Sequence, residues 1–160
     1  MIARLFPALL LPIFAACSGP TDPAELAREG VAALNANNAE SAYAPLHRAV
    51  RELPQDHPRY LEARVGLCRA MVHRDAGLCV QEFDAMVRES DQVGMGDVEL
   101  ITHELLASRA YSEAAKVLKS ATEHLGTNER LRALLKEAGD AAKAAGHEEA
   151  LKDLKGLGYT

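Results

Sequence analysis

A spacing that recurs four times governs how this chain can fold. Within Val98–Gly126, Thr102 shares a helix face with Val98, Ile101 and Leu105. Twelve positions later Ala114 begins a small–large–small series with Leu118 and Ala121, again on one face of a 3.6-residue helix. Gly30 is followed at twelve by Ala42, then Leu46, Ala49 and Pro54. Cys68 is followed at eleven by Cys79, then Phe83 and Met86, and Gly139 at eleven by Ala150, Leu154 and Leu157. The leading residues of the second helices, Ala42, Cys79, Ala114 and Ala150, are 37, 35 and 36 positions apart. A near-constant period in this range marks a repeat architecture. Small residues where two helices cross let the backbones approach, and large residues fill the groove beside them.

The pattern resembles the tetratricopeptide repeat, a helix–turn–helix unit of about 34 residues with a small residue in its first helix and Ala, a large residue, a small one and often Pro in its second. GVAALNANNAESAYAPLHRAVRELP and AGDAAKAAGHEEALKDL carry the resemblance best. The first helices lack the family's aromatic pair, and two hairpins are one residue short at the turn. The resemblance covers about 24–157. It implies an all-α fold of antiparallel helical hairpins, about four repeats stacked into a short right-handed superhelix over 24–160.

Residues 1–16, MIARLFPALLLPIFAA, read as a leader to be removed: Arg4, then an uncharged apolar run too short to span a bilayer, ending in small residues. Phe14-Ala15-Ala16-Cys17 resembles a bacterial lipobox. The resemblance implies cleavage before Cys17 and covalent attachment of a diacylglyceryl group and an N-acyl chain, a stable membrane anchor. An ordinary signal peptide cut near Ala15–Ser18, leaving a soluble periplasmic protein, is the alternative. Ser18 in place of the Asp that retains such proteins at the inner membrane implies the outer membrane, periplasmic side. Residues 17–23 then form a lipidated Cys and a short polar tether.

Without the leader the chain has 17 basic and 23 acidic residues, a formal charge of −6. An acidic chain with no Lys/Arg stripe argues against nucleic acid. Aromatics make up only 4% of residues and Trp is missing, which leaves few anchors for an aromatic-lined small-molecule pocket.

Local signals set the expected boundaries. Asp22 caps a first helix with Pro23 at its first position, and Asn35–Asn38 breaks it. Ser41 is the expected cap of the second helix, which runs to about Leu53 and puts Pro45 near its start. A second hairpin is expected over Arg59–Ser90, turning at Asp75–Gly77. The loop Asp91–Gly96 is the expected flexible point, with Asp97 capping the next helix. Thr127 or Asn128 caps the fourth unit, and Leu157–Thr160 frays.

The repeat alignment places Cys68 and Cys79 where the two helices of one hairpin touch. In an exported protein that implies a disulfide, since only such a crossing brings Cα atoms within about 7 Å. Two buried thiols acting as small apolar residues are the second reading. A metal site from Cys68, His73 and Cys79 is the third; no fourth ligand is evident and the spacing matches no zinc pattern. His103-Glu104 begins like a zinc-protease helix, but Ala107 stands where the second His is required. No phosphate loop, nucleophile elbow or paired-carboxylate motif appears.

In the resembled family the inner face of each first helix lines a groove that binds peptides or partner helices. Carried over, that face holds Leu34 and Asn35, then Arg69, Val72 and His73, then Glu99, His103 and Leu106, then Lys136, Asp140 and Lys143. The expectation is a non-catalytic scaffold for another envelope protein or peptide, with no cofactor beyond the acyl chains on Cys17. The alternatives are a small envelope enzyme or metal-dependent factor using Cys68, His73 and Cys79, and a self-associating structural module.

Overall fold

In the computed structural model residues 22–160 are described, and among them the chain is all-helical, with eight helices and no strand. They are α1 (Pro23–Asn35), α2 (Ala39–Glu52), α3 (Tyr60–Val72), α4 (Ala76–Glu89), α5 (Met95–Ala107), α6 (Tyr111–Leu125), α7 (Glu129–Ala144) and α8 (Glu148–Gly156). The leader, Cys17 and all but the end of the tether lie outside the described residues. Among the described residues no helix is long and apolar enough to cross a membrane.

The caps show why the helices start where they do. Asp22 accepts a hydrogen bond from Ala24 N at 3.0 Å, Asp75 from Gly77 N at 2.9 Å and Asn128 from Leu131 N at 2.9 Å, each satisfying an otherwise orphaned donor. Two expected starts move. Asn38, not Ser41, caps α2 by accepting from Ser41 N at 3.1 Å, so Pro45 falls inside the helix. The i−4 carbonyl that Pro45 cannot bond belongs to Ser41, which is exposed. The helix expected to be capped by Asp97 is capped three residues earlier, by Gly94, and begins at Met95. Asp97 sits in its first turn and accepts from Gly94 N at 2.9 Å.

The repeat positions are the core. Ala42, Leu46, Ala49, Cys68, Cys79, Phe83, Met86, Thr102, Ala114, Leu118, Ala121, Ala150 and Leu154 are all fully buried. Gly30 lies so close to α2 that a Cβ there would overlap Leu46 Cγ and stand 2.9 Å from its Cδ2. The core has two parts that meet at α3. Ala63, Leu67 and Ala70 pack with α1 and α2, while Val65, Cys68 and Val72 join the larger part formed with α4–α8. Burial on both sides explains why α3 is apolar nearly all round.

The odd-numbered helices form one run of neighbours, α1 on α3, α3 on α5 and α5 on α7. Among the even-numbered helices α4 packs on α6 and α6 on α8. The links between the two runs are uneven. α2 packs on α3 and α6 on α7, whereas α4 packs chiefly on α3 and α6. In the connection from α4 to α5, Val93 is buried in the larger core, whereas a Cβ at Gly94 or Gly96 would meet nothing within 4 Å. The chain end also departs from expectation: the Tyr159 ring covers Gly139 and its hydroxyl donates to Asp140 Oδ1 at 3.0 Å.

Candidate functional site

The residues expected to line a groove lie along the run of odd helices, but most of the polar ones are already paired, chiefly with side chains the sequence pattern did not mark. Glu104 of α5 accepts from Arg69 Nε of α3 at 3.1 Å and meets His73 Nε2 at 2.8 Å. The arginine and carboxylate are 16% and 20% exposed, dry enough for the pair to hold its geometry. Glu99 of α5 receives a two-pronged contact from Arg130 of α7, Nε at 2.9 Å and Nη2 at 2.6 Å. That fork holds the Glu99 carboxyl below its ordinary range and the Arg130 guanidinium above its own. His103 and Glu137 meet at 3.2 Å, both largely in water, where a pair contributes little. The result is a ladder of charge pairs tying α3 to α5 and α5 to α7.

Further along, Lys136 and Asp140 pair within α7 at 2.6 Å. The bond raises the lysine, and together with the Tyr159 hydroxyl it lowers the aspartate. Lys143 and Asn35 are exposed. The apolar members of the expected groove face inward instead: Leu34 and Val72 are buried core residues, and Leu106 packs against the larger core. They offer little contact area to a partner because the core needs them. The face is polar.

Cys68 and Cys79 do meet at the α3–α4 crossing. Both are buried and carry free thiols, and Cys68 Sγ donates to the Cys79 carbonyl at 3.8 Å. The hydrogen bond with Cys79, then burial, push the Cys68 thiol well above the ordinary range, which makes it a poor nucleophile. His73 is turned to Glu104, and among the described residues no group of three His, Cys, Asp or Glu side chains is gathered in a way that could hold a metal ion. Cys68, His73 and Cys79 are therefore not brought together as ligands.

Sequence reasoning missed Glu104, Arg130 and Glu137, although a signal was present. The pairs are 31, 34 and 35 residues apart, one repeat period or one period less about a helical turn. Scanning for opposite charges at that separation finds the ladder.

Arg64 was missed too. It lies in the buried run of α3, its side chain only 8% exposed, with Nε 2.6 Å from Glu82 and Nη1 2.6 Å from Glu89 of α4. Its guanidinium stands 5.7 Å from the Tyr60 ring centroid. Burial works against its charge, but the bonds to Glu82 and Glu89 outweigh that and hold the group above its ordinary range. An arginine inside the apolar run Ala63–Cys68, followed by two acids seven apart on the next helix, was the readable signal. Around it the chain forms a cavity of about 280 Å³ bounded by Tyr60, Leu61, Met86, Ser90 and Gln92.

No protein-family model matches the chain, and neither a curated protein nor a solved structure matches it significantly.

Proposed function

We propose that the chain is a lipid-anchored, periplasm-facing adaptor in a bacterial envelope, built as a tetratricopeptide-like stack of four antiparallel hairpins in a short right-handed superhelix. It holds another envelope protein or peptide without catalysing a reaction. Supporting the architecture, the four spaced sets of small and large residues are buried together and successive odd helices adjoin. The single observation that carries the binding reading is the charge ladder across α3, α5 and α7. It sets polar side chains of three successive helices in fixed positions on one face, and a surface already ordered loses less entropy on binding. His73, His103, Arg130 and Glu137 are its exposed members, Lys136 is exposed beside them, and the partner engages these. Since the ladder holds charges of both signs, the partner segment carries both as well.

The test is a photo-crosslinking residue at His103 or Lys136 in the anchored chain, with exposed Arg51 on α2 as control. One envelope protein joined from the first two positions and not the third supports the reading. Equal capture from all three positions, or from Arg51 alone, removes it.

A further inference from the structure

We propose that the cavity over Arg64 binds a small carboxylate, of the size of an amino acid or a peptide chain end, in the place that Glu89 occupies in this structure. Glu82 and Glu89 are not equivalent partners of the buried guanidinium. Glu82 is 24% exposed and neutralises Arg64 from inside the fold, whereas Glu89 is 57% exposed and reaches in from the end of α4. A single carboxylate suffices to balance the arginine. The second bond is made by a side chain already largely in water, so releasing it costs little.

An incoming carboxylate takes over the Arg64 bond that Glu89 gives up as its side chain turns to water. It also gains a donor that Glu89 leaves unused: a guanidinium offers five N–H groups, and among the described residues Nη2 has no hydrogen-bond partner. Nη1 and Nη2 together form the fork that grips a carboxylate by both oxygens. The cavity of about 280 Å³ suits a ligand of a few heavy atoms. Leu61 and Met86 supply apolar wall, and Ser90 and Gln92 supply polar groups at the opening. That opening is held in shape by the bond from Gln92 N to Ser90 Oγ at 3.1 Å. Asp56 at the rim repels a second negative charge and attracts an ammonium, so the site selects a monocarboxylate.

The experiment follows the Arg64 Nε–H resonance of the full chain by NMR while N-acetylalanine, its uncharged amide or free alanine is added. N-acetylalanine is expected to shift the resonance saturably and the amide is not. Glu89→Ala, which removes the resident carboxylate, is expected to tighten binding about tenfold. Arg64→Lys, which loses the fork, should abolish it, and should that variant not fold, Glu89→Ala with the amide control decides alone. Free alanine binding more tightly than N-acetylalanine identifies an amino acid held also by Asp56; the reverse order identifies a chain end. The proposal is overturned by no saturable shift in Glu89→Ala, by an equal response to the amide, or by unchanged affinity when Glu89 is removed.

Discussion

Replacing Gly30 with alanine tests the crossing on which the first two helices depend. On an exposed helix face the change would stabilise the chain by about 1 kcal/mol, because glycine is the poorer helix former. Here the added methyl would overlap Leu46 Cγ and lie 2.9 and 3.1 Å from its two terminal carbons. Leu46 is fully buried and cannot retreat: Gly66 of α3 stands on its other side, where even a Cβ would meet Leu46 Cδ2 at 3.1 Å. Overpacking a core costs about 1–3 kcal/mol, and an overlap with a branch carbon falls in the upper part of that range, so about 2–3 kcal/mol less the helix-propensity gain leaves a net loss of about 1–2 kcal/mol. Thermal unfolding should fall by about 3–6 °C. Combining Gly30→Ala with Leu46→Val should cost less than the two changes added, since the smaller side chain vacates the contested space. Gly139→Ala is the internal comparison. Its methyl would meet the Tyr159 ring, which belongs to the last turn of the chain and can swing out, so the loss should be under about 1 kcal/mol. Calorimetry on the four variants decides the matter. A Gly30→Ala protein as stable as the parent, or additive changes in the double variant, would refute the close crossing.

Thr102 is fully buried and among the described residues its hydroxyl has no hydrogen-bond partner; Thr102→Val keeps the shape, removes the unpaired group and should raise stability by about 1 kcal/mol in a urea titration. Removing Arg64 leaves the partly buried Glu82 without its partner while Glu89 turns to water, so Arg64→Ala should lower the urea midpoint clearly more than Arg130→Ala on the exposed ladder. The Glu99 carboxyl is lowered by Arg130, so its contribution is complete above its ordinary pKa of 4.5 and fades as pH falls through the lowered value. Glu99→Gln should therefore flatten the decline of the melting temperature below about pH 5, and an unchanged slope would exclude a fork that favours the charged form. Expressed in an oxidising compartment, the chain should lose the mass of two hydrogens as Cys68 and Cys79 join; an intact mass unchanged by reduction shows thiols.

Much of the architecture was legible because burial here is a one-dimensional pattern. A helix turns every 3.6 residues, so Gly30, Ala42, Leu46 and Ala49, and their counterparts a period later, could be placed on inward faces without knowing what they face. The caps at Asp22 and Asn128 were readable for the same reason, since a cap answers to a donor two or three residues away. The cap of α2 was not: Ser41 was expected, and Asn38 caps the helix by accepting from Ser41 N.

Charge and company, by contrast, were settled by the packing of helix on helix. Leu34, Val72 and Leu106 were assigned to a groove by position, yet each turns into the core, because neighbouring helices leave apolar space there that no partner need fill. Arg69 and His73 looked free to hold a carboxylate and already hold Glu104 from the next unit. Arg64 carried no expectation from its sequence, and it is buried because α3 alone packs against both parts of the core. Hydrophobic periodicity is a property of each helix and is written within its own few turns. An ion pair depends on two side chains about thirty residues apart meeting within 3–4 Å, and only the packing of one helix on the next sets that distance.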